Sequence, residues 1–118
     1  PVASLPKFIR EASLWVREHV PEGVLVCYGH AGDGNLHFNI NQVGTEGSQA
    51  FLSREPQIRR AIHDLVARYQ GSISAEHGIG RLKREELQRY ARPGALLAMR
   101  AIKQALDPNG VMNPGKLI

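Results

Sequence analysis

Between Lys7 and His19, Phe8, Ala12, Trp15 and Val16 recur at three- and four-residue steps, the apolar stripe of an amphipathic helix. Pro6 suits the first turn of that helix, and "PEG" at 21–23 ends it. Trp15 lies on the stripe and is expected in the core. Two short runs follow, "VLVCYGH" and "NLHFNIN", which read as strands joined by a turn on Gly32, Asp33 and Gly34. The second run alternates strictly. Leu36, Phe38 and Ile40 share one face, while Asn35, His37, Asn39 and Asn41 share the other, so one face is core and the other is polar.

"VGTEGS" at 43–48 reads as a loop. From 54 to 71 a helical period returns, with Ile58, Ile62, Leu65, Val66 and Tyr69 on the buried side and Gly71 as the stop. His63 falls between those positions and is expected at the surface. "SISAE" reads as a short strand running into His77-Gly78-Ile79-Gly80. Leu82 to Tyr90 and Pro93 to Leu106 read as two helices broken at "RPG", and "DPNGVMNPGKLI" is turn-rich. Helix, strand, strand, helix, strand and helices make an α+β domain, a small antiparallel sheet with helices on one face. It matches a ferredoxin-like arrangement without its first strand. The edge left open by that strand predicts self-association, as a homodimer or a larger species.

The 118 residues suffice for one domain with one modest core. The chain opens on "PVASLP" without methionine, so a fragment of a longer protein is expected. The net charge of +4 is spread over several helices without a run of like charge. Basic positions do not interleave with aromatics, so solvated helix faces are expected and no nucleic-acid partner. Cys27 is the single cysteine, which excludes an intrachain disulfide and a cysteine-rich zinc site. Its apolar setting suits a small buried side chain in a reducing cytoplasm. No membrane span and no signal peptide is expected.

Chemistry concentrates in two stretches, "GHAGDGNLHFNI" and "AEHGIG". At a hairpin tip, His30 and His37 fall close to opposite one another, with β-carbons about 5 Å apart, so both imidazoles reach one ion. Two histidines and one carboxylate leave a metal coordination site open to substrate, and Glu76 supplies the carboxylate if "SISAE" lies beside the hairpin. A chance pair or a hydrogen-bonded turn also accounts for the two histidines. Glu76-His77 also reads as the start of a helix-leading turn, although Gly78 and Gly80 suit a tight loop facing a ligand. With Glu76 on the metal, His77 is left to act as a general base. "GVMNPGK" has the spacing of a phosphate-binding loop, but Leu117 stands where Ser or Thr is required.

Taken together, "GHAGDGNLHFNI", "AEHGIG" and "LDPNGVMNPGK" resemble the C-terminal part of the FAD-linked D-2-hydroxyacid dehydrogenases and oxidases of the vanillyl-alcohol oxidase superfamily. The D-lactate, D-2-hydroxyglutarate and glycolate enzymes belong to that group. The resemblance implies that residues 1–118 are the cap or substrate-domain portion of a larger flavoenzyme whose flavin-binding domain is absent. It implies a divalent metal, zinc or manganese, on His30, His37 and Glu76. By the same carry-over Asn39 contacts the 2-hydroxyacid and His77 is the catalytic base. Asn113 and Lys116, in the 107–118 tail, would lie near the FAD or the domain interface. The rival expectation is a non-catalytic α+β module that binds a metal or ligand.

Overall fold

The computed structural model describes residues 1–44 and 47–118. The loop read at 43–48 therefore lies partly outside the described residues. The chain divides into two compact units, Pro1–Ser72 and Ile73–Ile118. Together they give an α+β architecture of helices and one two-stranded antiparallel sheet.

In the first unit, a 3₁₀ turn at Val2–Ser4 leads into α1 (Leu5–His19), with Pro6 in its first turn. Strands β1 (Gly23–His30) and β2 (Asn35–Gln42) follow, joined by a 3₁₀ turn at Ala31–Asp33. Helices α2 (Ser48–Ser53) and α3 (Glu55–Arg68) complete the unit. Phe8, Ala12, Val16 and Val20 pack against Ile58, Ile62 and Leu65, and Leu25, Leu36, Phe38 and Ile40 cover them from the sheet. Phe8 meets Phe38 and Tyr69 edge-on, with ring centroids 5.9 and 5.8 Å apart. Edge-on rings add specific attraction to the area they bury. Trp15 sits at the rim of this core, stacked on His19.

Polar ties hold the two long helices together at both ends. Arg54 reaches the Glu22 carboxylate and donates to the His19 carbonyl. At the other end, Tyr69 Oη and Arg68 Nη2 each donate to Glu11 at 2.6 Å. The Tyr69 hydrogen bond holds the Glu11 carboxyl below its ordinary range, and the same bond raises the Tyr69 phenol.

Several expectations need correction. "SISAE" forms no strand, and the sheet among the described residues has two strands. Ser74 Oγ instead donates to the Gly78 carbonyl at 2.6 Å, a local bond that competes with strand pairing. His63 is buried. It lies three residues before Val66, at the flank of the buried stripe rather than opposite it. At the end of α3 the left-handed residue is Gln70 (φ 57), and Gly71 follows it, where a β-carbon would come within 2.9 Å of Val66 Cγ1.

The second unit holds α4 (Arg84–Tyr90), α5 (Pro93–Leu106) and the C-terminal tail. The Asp107 carboxylate, buried, clasps the tail. It accepts from Lys103 Nζ and from the amides of Val111 and Met112 at 2.8 and 2.9 Å. Lys103 also donates to the Met112 carbonyl. The hydrogen bond from Lys103, helped by the two amides, holds Asp107 below its ordinary pKa of 3.8. A depressed carboxyl stabilises the fold above its unfolded pKa, and that contribution is lost as pH falls through the folded value. The amides at 111 and 112 should therefore stay protected from hydrogen exchange at neutral pH and exchange freely once pH drops well below 3.8. Asp107→Ala should release the same two amides at neutral pH. Unchanged protection in that variant would show that something other than Asp107 holds the tail. No helix among the described residues is long and apolar enough to cross a membrane.

Candidate functional site

The register of the hairpin decides what its outer face displays. Tyr28 pairs with His37, and His30 pairs with Asn35. His30 and His37 are thus diagonal neighbours two residues out of register, not the near-opposite pair expected from the turn. The 3₁₀ turn takes up the residues that would otherwise bring them level. Diagonal β-carbons are about 7–8 Å apart, a span that two imidazoles can close from the same face.

The side chains do close it. Ring nitrogens of His30 and His37 lie within 4.8 Å of each other. Two nitrogens on one zinc, each about 2.0–2.1 Å from it, can be no more than roughly 4.2 Å apart. The difference is under about 1 Å, within reach of small imidazole torsions. Two imidazoles on an accessible face suit zinc, manganese or iron, so the residues present fit a divalent metal.

Gly29 makes this geometry possible. It pairs with Leu36, and its φ of 154° is one that side chains rarely adopt. A β-carbon there would lie 2.3 Å from the Asn35 carbonyl oxygen and 2.9 Å from Leu36 Cα. The strands approach so closely beside His30 only because residue 29 has no side chain.

Asn39 lies two residues beyond His37 on the same outer face and is exposed, opposite Val26. The core face of the hairpin carries Cys27, whose thiol is pushed up by burial and so stays protonated. Tyr28 was not anticipated. Its ring stacks on His37, with centroids 4.9 Å apart and planes 14° from parallel. A flat aromatic neighbour limits the torsions open to the His37 imidazole. The clue was present in "VLVCYGH", where Tyr28 and His30 fall on the same side of a strand.

In the second unit Glu76 and His77 touch: His77 Nε2 and Glu76 Oε1 are 3.2 Å apart. Gly78 and Gly80 both take left-handed backbone, φ 71 and 58, so the chain coils tightly after them as the sequence suggested. The Leu117 amide donates to the Gly80 carbonyl at 3.0 Å, which sets the tail beside this loop. Asn113 and Leu117 are themselves left-handed, φ 46 and 65, a costly backbone for a residue such as Leu117. Lys116 closes the tail turn through its amide on the Asn113 carbonyl. Asn113 and Lys116 are exposed.

Charge divides unevenly. The first unit has seven Lys or Arg and seven Asp or Glu, whereas the second has eight against four, so the whole excess of +4 resides in Ile73–Ile118. That unit, with Glu76, His77 and the tail, is the one that attracts anions.

A family model described as "FAD linked oxidases, C-terminal domain" matches residues 1–117. A D-2-hydroxyglutarate dehydrogenase of Stutzerimonas stutzeri is 40% identical over 116 residues, 98% of this chain and 25% of that protein. One from Xanthomonas citri pv. viticola is 35% identical over 116 residues, with the same coverage of each chain. The mitochondrial D-2-hydroxyglutarate dehydrogenase of Bos taurus is 41% identical over 95 residues, 80% of this chain and 16% of its own length. The chain spans a quarter or less of the length of these relatives.

Proposed function

The chain belongs to the family of FAD-linked oxidase C-terminal domains, and from that premise we propose that it is the metal- and substrate-holding part of a longer flavoenzyme. That enzyme oxidises a D-2-hydroxyacid to the 2-oxoacid. The observation that carries this reading is the placement of His30, His37 and Asn39 on one face of one hairpin. D-2-Hydroxyglutarate is the first substrate to test, because it is the one named in the relatives.

His30 and His37 hold the divalent metal, zinc or manganese, with Glu76 as the third ligand. Such an ion stabilises the negative charge that develops when the substrate hydroxyl gives up its proton. Asn39 offers its amide N–H to a substrate oxygen and orients the molecule. His77 takes the proton. With the ring proton on Nε2, that nitrogen donates to Glu76 and Nδ1 keeps the lone pair that a base needs. The contact between the two neighbours thus orients the base.

FAD, gripped mainly by the rest of the longer protein, supplies the hydride acceptor. Asn113 and Lys116 border it from the basic unit. They offer one amide and one ammonium, too few contacts to retain a flavin, so the chain purified alone should carry no flavin absorbance. Its lone thiol suits a reducing compartment such as the cytoplasm.

The full-length protein, mixed anaerobically with D-2-hydroxyglutarate, should lose its flavin absorbance, and the L isomer should leave it unchanged. D-Lactate and glycolate serve as comparators. Asn39→Ala should lower kcat/KM by about 10- to 100-fold, the scale of one lost hydrogen bond of about 1.5–3 kcal/mol. A full-length protein without flavin, or with flavin that no D-2-hydroxyacid reduces, would contradict the assignment.

A further inference from the structure

The second unit has too little interior of its own. Leu87 is its one buried apolar side chain among the described residues, with Ile73, Ile79, Tyr90, Leu96 and Met99 half-buried; Glu86 and Asp107 are the other buried side chains. A unit of this size needs a larger core, a metal or a covering partner to be stable. Helix α5 shows where the missing cover belongs. None of its residues is buried. Leu97, Ile102 and Leu106 are 70%, 60% and 71% exposed, and Ala98, Ala101 and Ala105 between them are exposed too.

At 3.6 residues per turn these six positions form one continuous apolar arc over about half the helix circumference. The polar residues Arg100, Lys103 and Gln104 fall on the remainder. An exposed helix ordinarily shows the reverse, a polar arc with an apolar stripe against its own core.

We propose that this face of α5 docks against the portion of the same polypeptide that lies outside this chain. The proposal rests on the reading of the chain as one domain of a longer flavoenzyme. Relatives matched over 98% of this chain are four times as long, so a large covalently attached partner is available. A second copy is the poorer occupant. Half the surface of a cylinder about 10 Å across and 21 Å long is on the order of 300 Å². A stable dimer needs about 800 Å² from each partner. Contact within one polypeptide avoids the entropy cost of association, so a face of this size suffices. The three alanines let a neighbouring element approach closely, and the arc carries no charge to be desolvated.

Single cysteines placed in the full-length protein test this directly. Leu97→Cys and Ala101→Cys lie on the arc, and Arg100→Cys lies off it. Each is treated with a maleimide, and the labelled peptide is identified by mass. In the native protein the two arc positions should label at least about tenfold more slowly than position 100, matching an opening cost of about 1.4 kcal/mol or more. In denaturant all three should label alike. Protection should not change with protein concentration. Equal native rates would overturn the proposal, and so would protection seen only at high concentration, which would place a second copy on α5. Ala101→Cys conserves size and keeps the test valid if Leu97→Cys misfolds. Flavin content is read separately, so a protein without FAD would sink the enzymatic reading without deciding the docking of α5.

Discussion

His77→Ala in the full-length enzyme should lower turnover by about 10²–10⁴-fold while bound metal stays near its normal level. The residue beside it should behave differently. Glu76→Ala should lower metal and activity together, and added metal should partly restore it. The reasoning is chemical. A carboxylate is an anionic oxygen ligand for a divalent ion, whereas an imidazole hydrogen-bonded through Nε2 to that carboxylate presents its other nitrogen to a proton. Because the base acts only as the hydroxyl loses its proton, its removal should depress kcat and kcat/KM to a similar degree. Metal analysis beside steady-state rates checks both variants. Metal loss in His77→Ala, or full activity in it, would contradict this division of labour.

The second large effect comes from a residue that touches no substrate. Gly29→Ala should destabilise the hairpin severely, because the added β-carbon meets backbone atoms at 2.3 and 2.9 Å that no rotamer change can move. Overpacking of this kind costs about 1–3 kcal/mol, and a strained backbone adds roughly 1–3 kcal/mol more. Against a total of about 5–15 kcal/mol, that is a large share. Gly32→Ala provides the control. Its β-carbon would meet nothing within 4 Å and its φ is ordinary, so its effect should stay within about 0.5 kcal/mol. Denaturant midpoints for the two variants make the comparison. Equal midpoints would mean that the close approach of β1 and β2 beside His30 is not needed for the fold.

The sequence made some of this readable and hid the rest for physical reasons. Period and alternation are local signals, so α1, both strands, α3 and the break between α4 and α5 could be read from them. The two faces of β2 could be read as well, with Leu36, Phe38 and Ile40 inward and Asn39 outward. Register is not local. The 3₁₀ turn after His30 moved the histidines from opposite to diagonal, and no alternation pattern encodes that turn. "SISAE" has strand-forming residues, yet a strand also needs a partner, and Ser74 bonds to its own loop instead. His63 is buried because it lies three residues before Val66, at the flank of the buried stripe of α3, where period alone does not separate core from surface. In the sequence Asp107 is one more polar residue of a turn-rich tail. Its use as a clasp depends on Lys103 reaching it from the preceding turn of α5.

The most direct measurement of the proposed centre is metal content in the purified full-length protein. The wild type should hold about one divalent ion per chain, on a site of two histidines and one carboxylate. His30→Ala and His37→Ala should each lose nearly all of it, and Asn39→Ala should keep it. Undiminished metal in both histidine variants would show that the hairpin pair is not the metal site.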